Sequence, residues 1–176
     1  YTGDLGYMSK EGLLYVKGRF KSLLISSDGE KYSPEGIEEA LVEKSPYIDQ
    51  VMLYNNQCAT TTALIVPNKD ALRRYLKDNG QKLESEEGKK MALLKLESEL
   101  ARFKKGGEFQ GMFPERWLPS SFAVLAEPFT EQNQMINSTM KMVRPKIEKA
   151  YKERIDYMYT SEGKQTLNQQ NIDAIA

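Results

Sequence analysis

The chain has 176 residues, enough for one domain with a fair hydrophobic core. Its 25 basic residues balance its 25 acidic ones, so bulk charge points to neither nucleic acid nor an anionic membrane. With no histidine and one cysteine, it can form no intrachain disulfide and no Ser-His-Asp or Cys-His catalytic group.

The lone Cys58 suits a reducing, cytoplasmic setting and reads as an inert structural thiol. Hydrophobic content of 40% is slightly low, which fits exposed helices or a surface meant for another domain. No apolar run approaches the ~20 residues of a membrane span. The opening Tyr1-Thr2-Gly3-Asp4 shows no signal peptide and no initiator methionine, and reads as the middle of a longer chain.

Residues 1–21 are turn-rich. Ser9-Lys10-Glu11-Gly12 reads as a hairpin turn, followed by a strand over Leu13-Leu14-Tyr15-Val16. Leu23-Leu24-Ile25 is a second strand, and Asp28-Gly29 is a short-turn signal. Ser33 as N-cap and Pro34 at the first helical position start a helix that runs to about Glu43. Its apolar face is Ile37, Ala40 and Leu41, with Glu35, Glu38 and Glu39 toward its positive end.

Val51-Met52-Leu53-Tyr54 and Ala63-Leu64-Ile65-Val66 read as an antiparallel pair joined by a polar Asn55-Asn56-Gln57 loop. Asn68 caps a helix carrying Ala71, Leu72, Tyr75 and Leu76, which Asn79-Gly80 closes. The longest helix spans 84–105, with Leu93, Leu96, Leu100 and Phe103 on one stripe. A loop rich in proline and aromatics (113–119) leads to a strand, Phe122-Ala123-Val124-Leu125. Residues 130–143 read as a polar loop, and Pro145 starts a last helix with Ile147, Tyr151 and Ile155 stacked along it. Residues 161–176 read as a weakly structured tail in which Ile172 and Ile175 are able to dock. The expected fold is α+β: a small mixed sheet of about three strands flanked by helices, preceded by a short β-hairpin.

Three stretches carry a family resemblance: Tyr1-Thr2-Gly3-Asp4-Leu5-Gly6-Tyr7, Gly12-Leu13-Leu14-Tyr15-Val16-Lys17-Gly18-Arg19-Phe20-Lys21, and Gly29-Glu30-Lys31-Tyr32-Ser33-Pro34-Glu35-Gly36-Ile37-Glu38. In that order and spacing they resemble the adenylate-forming enzymes, which include acyl-CoA synthetases, peptide-synthetase adenylation domains and luciferases. A fourth stretch, Ser138-Thr139-Met140-Lys141-Met142-Val143-Arg144, resembles the family's late lysine motif. Its Thr-Met-Lys, where many members have Ser-Gly-Lys, and the long helical segment resemble the long-chain fatty acyl-CoA synthetases.

The resemblance implies a reaction in two halves, using ATP, CoA and Mg²⁺. A carboxylate first attacks the α-phosphate of ATP to give acyl-adenylate and pyrophosphate, and the thiol of CoA then displaces AMP. It also implies a domain plan. Residues 1–20 would end a large N-terminal domain, 21–160 would form a mobile C-terminal lid hinged near Lys21, and 161–176 would be the tail. The partners implied are the N-terminal domain, a fatty acid, ATP and CoA, without nucleic acid or a transmembrane segment. Peripheral membrane association of the longer protein stays open.

By position in the motifs, Asp4 matches the carboxylate that holds the ribose hydroxyls and Arg19 an arginine on ribose or phosphate. Lys21 matches the hinge, and Ser27, Asp28, Gly29 and Glu30 match the loop that approaches the CoA channel. Lys141 matches the catalytic lysine that meets the substrate carboxylate and α-phosphate. Arg144 is expected to anchor the lysine loop. No metal ligand is expected in the chain. The family's phosphate loop, acyl pocket and magnesium-site glutamate have no counterpart among these residues, so the 176-residue chain alone is expected to be inactive. Two other readings remain: an acyl-AMP ligase that loads a carrier protein, and a non-catalytic α+β interaction module.

Overall fold

The computed structural model describes residues 4–19 and 22–176, and the side chains of 6–15 and 22–176. A hairpin comes first, with β1 (Asp4–Met8) antiparallel to β2 (Leu14–Arg19). Tyr7 and Tyr15 stack across it, their ring centroids 5.1 Å apart. Tyr7, Met8, Leu13, Leu14 and Tyr15 are all exposed, an apolar patch of the kind that another surface normally covers.

Two three-stranded sheets follow. The central one has the order β5-β7-β8: β5 (Ile48–Tyr54) runs antiparallel to β7 (Thr62–Pro67), which is parallel to β8 (Ser121–Val124). Strand side chains alternate between faces, and here both faces are buried. Val51, Leu53, Ala63, Ile65, Phe122 and Val124 face one core; Met52, Leu64, Val66 and Ala123 face the other. That explains the unbroken apolar run at 63–66.

The first core is closed by α1 (Glu35–Lys44), α2 (Lys69–Asp78), α3 (Glu86–Ala101) and α6 (Gln169–Ala174). The second is closed by Ile147 of α4 (Arg144–Ala150), Ile155 of α5 (Lys152–Tyr157), and Phe129 and Ile136 of the loop between β8 and α4. The smaller sheet has the order β4-β3-β6, from Lys31–Tyr32, Leu24–Ser26 and Asn56–Cys58.

The α+β class and the expected helices at α1, α2 and α3 are present, with Asn68 accepting from the Ala71 amide as the cap of α2. Several expectations need correction. The 161–176 tail is folded: without periodicity as it looks, it ends in α6, with Asn171 and Ile175 fully buried. The Asn55-Asn56-Gln57 segment is not a simple loop but enters β6, which pairs parallel to β3. The last helix is two, broken at Tyr151. Residues 130–143 contain an antiparallel bridge between Ile136 and Met142. Pro34 itself caps α1, with no side-chain bond from Ser33.

The outer edges of the central sheet carry unpaired backbone groups, and side chains take them up. On the β8 edge, the Asn171 amide accepts from Val124 N (2.9 Å) and donates to Phe122 O (3.2 Å). On the β5 edge, Glu38 accepts from Leu53 N (2.7 Å) while Arg144 donates to Leu53 O (3.1 Å).

Candidate functional site

Lys141 sits at the end of a tight turn. The Asn137 carboxamide oxygen accepts from the amides of Thr139 (3.0 Å) and Lys141 (2.9 Å) and from the Thr139 hydroxyl (2.8 Å). Met140 takes a left-handed φ of 61° to close the turn. That conformation strains a residue with a Cβ, which gives a physical reason for glycine in the related Ser-Gly-Lys form.

Three residues on, Arg144 is nearly buried and pairs with Glu38 of α1. Between them they hold both backbone groups of Leu53. Burial pushes the Glu38 carboxyl up, and the Arg144 charge beside it pulls the other way. The turn bearing Lys141 is thus pinned to α1 and β5, as expected of Arg144, while the Lys141 ammonium makes no side-chain bond or ion pair among the described residues.

A groove of about 590 Å³ opens beside this turn. Glu35, Glu39, Glu43 and Val42 line its helical side, and Met140 and Lys141 line the other. A row of carboxylates repels polyphosphate, so the groove is not itself a nucleotide pocket. Lys141 can serve a phosphate only by presenting its charge outward, to something that approaches the domain.

The second locus is the turn from Ser26 to Glu30. Gly29 has φ of 83°, the left-handed conformation that favours glycine. The Asp28 carboxylate accepts from the Ser26 hydroxyl and from the Glu30 amide, and these bonds hold its pKa below the ordinary 3.8. Both Glu30 oxygens accept from Arg116, at 2.5 and 2.6 Å, and that pairing keeps the Glu30 carboxyl low and raises Arg116. None of Ser27, Asp28, Gly29 and Glu30 lines the groove beside Lys141. The two candidate chemistries therefore occupy separate parts of the surface.

Asp4 and Arg19 stand opposite each other at the open end of the hairpin, partners in strand register though fifteen positions apart in the sequence. Lys21 lies outside the described residues. Among the described residues, no group of three or more His, Cys, Asp or Glu side chains is placed to hold a metal ion. No helix among them is long and apolar enough to cross a membrane.

Residues 21–85 match the family model described as the AMP-binding enzyme C-terminal domain. Over these residues the chain is similar to the C-terminal domain of the AMP-binding, adenylate-forming enzymes. The long-chain-fatty-acid–CoA ligase ACSBG2 of Gallus gallus is 26% identical over 99% of the chain and 25% of its own length. Long chain acyl-CoA synthetase 8 of Arabidopsis thaliana is 27% identical over 90% of the chain and 22% of its own length. The chloroplastic long-chain-fatty-acid–acyl-carrier-protein ligase AEE15 of the same plant is 27% identical over 90% of the chain and 21% of its length.

Among solved structures, the adenylation domain of a carboxylate reductase from Mycobacterium chelonae is 26% identical over 90% of the chain and 22% of its own, with a TM-score of 0.71. The chain spans about a quarter of the length of the curated relatives it matches. The family model ends at residue 85, but the relatives extend over nearly the whole domain, and the fold likeness does too.

Sequence reasoning missed three side chains that build these loci. Glu38 looked like one of several surface acids suited to the helix dipole. Its signal is its spacing, three residues before Leu41 and next to Ile37, which turns it toward the buried face. Arg116 and Trp117 sit in a short 3₁₀ turn (Glu115–Trp117) with no periodicity to reveal them.

Proposed function

We propose that this domain is the C-terminal lid of an ATP-dependent fatty acid–CoA ligase, a ligase of lipid metabolism that joins an acid to a thiol through an acyl-adenylate. The observation that carries the reading is the pairing of a pinned turn with an outward, unpartnered Lys141 in a chain whose relatives are named as long-chain ligases. In adenylation, Lys141 would place its charge on the α-phosphate oxygens as negative charge gathers there. Asp4 would accept from the ribose hydroxyls and Arg19 would donate to ribose or phosphate oxygens. The large N-terminal domain, the fatty acid, ATP and CoA are the partners in this reading, and Lys21 is the pivot between the two half-reactions.

In thioester formation the Ser27 to Glu30 turn would face the CoA channel, where Gly29 lets backbone approach closely. Mg²⁺ would supply charge neutralisation on the ATP phosphates. Its ligands belong to the nucleotide and the N-terminal domain in this reading. The 176-residue chain alone would not adenylate an acid.

The test is Lys141→Ala in the full-length enzyme. ATP–pyrophosphate exchange should fall by about 100-fold or more, while thioester formation from supplied acyl-adenylate stays within about threefold. Equal loss of both halves would refute the role. A second acceptor deserves the same assay, because one relative is named as an acyl-carrier-protein ligase and the structural neighbour is a carboxylate reductase domain. In that reading acyl transfer requires a pantetheine-bearing carrier protein, and free CoA does not replace it.

A further inference from the structure

We infer that Arg116 is a positioning residue for thioester formation: it holds Glu30, and through it the Asp28-Gly29 turn, in one orientation. The inference rests on the acyl-transfer reading above. The turn's own bonds are local. Gly29 N donates to Ser26 O (2.9 Å), Ser26 N to Glu30 O (3.0 Å) and Glu30 N to Asp28 Oδ1 (3.2 Å). They set the shape of the turn but not its direction from the domain. Its base is tied to β6 through Ser27 N and Cys58 O (3.1 Å). Its far side is tied by Arg116, whose Nε and Nη2 grip both Glu30 oxygens from 86 positions away.

Arg116 is itself placed by a chain of contacts that ends in the core. Its guanidinium lies 5.9 Å from the centre of the Trp117 ring. Trp117 stacks on Tyr32 with centroids 5.2 Å apart and planes within 5°. Tyr32 is 2% exposed, and its hydroxyl bonds Thr61 and accepts from Asn55. The Trp117 indole N–H is buried and has no hydrogen-bond partner.

The Arg116 side chain is 65% exposed, and an exposed ion pair contributes little to folding. What a two-pronged guanidinium–carboxylate pair does add is direction, because a planar fork fixes the angle as well as the distance. A turn held on one side by β6 and on the other by Arg116 can present its backbone to a thiol's carrier in one geometry.

The test uses Arg116→Met and Arg116→Lys in the full-length enzyme. For Arg116→Met, thioester formation from supplied acyl-adenylate should fall about tenfold, with ATP–pyrophosphate exchange within about twofold; Arg116→Lys, which keeps the charge but not the fork, should recover part of the loss. The double variant Glu30→Arg with Arg116→Glu should restore more of the rate than either single change. Unchanged thioester formation, or equal loss in both half-reactions, overturns the inference.

A second measurement separates this from failure of the acyl-transfer reading. In the 176-residue chain Trp117 is the only tryptophan. Arg116→Met should shift its emission and speed amide exchange at Gly29 and Glu30 while leaving the thermal midpoint unmoved. A wild-type enzyme that makes acyl-adenylate but transfers the acyl group to neither CoA nor a pantetheine-bearing carrier protein refutes the acyl-transfer reading; unchanged exchange at the turn refutes the clamp.

Discussion

Replacing Glu38 with leucine tests the pin beneath Lys141. The side chain is 6% exposed and its two oxygens serve the Arg144 guanidinium and the Leu53 amide. Losing it leaves the Leu53 N–H buried without a partner, which costs about 1–3 kcal/mol, and leaves Arg144 as an unpaired, nearly buried cation. Breaking such a pair costs about 3–5 kcal/mol when no water reaches the survivor. Arg144 borders the groove, so water can reach it, and the low end applies: about 3 kcal/mol.

Glu38→Leu combined with Arg144→Met removes the stranded charge and should cost only about 2 kcal/mol, for the Leu53 N–H and C=O that both lose their side-chain partners. Urea unfolding of the wild type, both singles and the double gives the coupling energy from a double-mutant cycle; with about 3 kcal/mol for Glu38→Leu and about 2 kcal/mol for the double, it should exceed the cost of Arg144→Met alone by about 1 kcal/mol. Burial pushing the Glu38 carboxyl up is the reason the double is cheap: desolvation opposes much of the attraction that the pair gains. A loss below about 0.5 kcal/mol for Glu38→Leu, or no coupling in the cycle, would refute the pin.

Asn171→Ala should cost about 3 kcal/mol and lower the thermal midpoint by about 6–12 °C, because it strips four hydrogen bonds, to Val124 N, Phe122 O, Thr166 O and Arg154, from a fully buried site. A shift within about 1 °C would mean that the tail does not seal the β8 edge. Met140→Gly should stabilise the chain by about 0.5–1 kcal/mol in urea unfolding, since φ of 61° is relieved and the Met140 side chain is exposed. Glu99 is 4% exposed between Lys95 and Arg102, each 2.8 Å away. Burial opposes its charge, but the bonds from Lys95, Ser45 and Arg102 outweigh burial and hold its carboxyl below the ordinary 4.5. A lowered folded pKa gives stability that is present above 4.5 and lost as pH falls through the folded value. The urea midpoint should therefore decline in that acid window, and Glu99→Gln should flatten the decline.

What was legible in the sequence follows from which signals are local. The helix stripe of Leu93, Leu96 and Leu100 and the cap at Asn68 depend on spacing within one element, and both are present. β6 has only three residues, two of them polar, and exists because β3 accepts it as a parallel neighbour. No local pattern announces that. The tail failed for the same reason: Asn171 reads as a polar residue in an aperiodic stretch, and only the unpaired edge of β8 turns it into a buried keystone. Asp4 and Arg19 are singled out by the family motif alone, and the hairpin register that sets them opposite each other comes from pairing across the turn.

The same logic explains where the two candidate turns sit. A three-stranded sheet has two edges, and each exposes backbone groups that must be satisfied. Here the β8 edge is closed by Asn171 from the C-terminal helix, while the β5 edge is closed by Glu38 and Arg144. The residue that closes the second edge is three positions from Lys141, so sealing the sheet and fixing the lysine turn are one structural act. The Asp28-Gly29 turn is served by other anchors, β6 and Arg116, that share no residue with the Lys141 pin. Independent anchoring has a testable consequence: Glu38→Leu should impair pyrophosphate exchange with little effect on acyl transfer, and Arg116→Met should do the reverse. If each variant damaged both half-reactions alike, the two turns would be coupled through the fold, and the separation of their anchors would have no functional meaning.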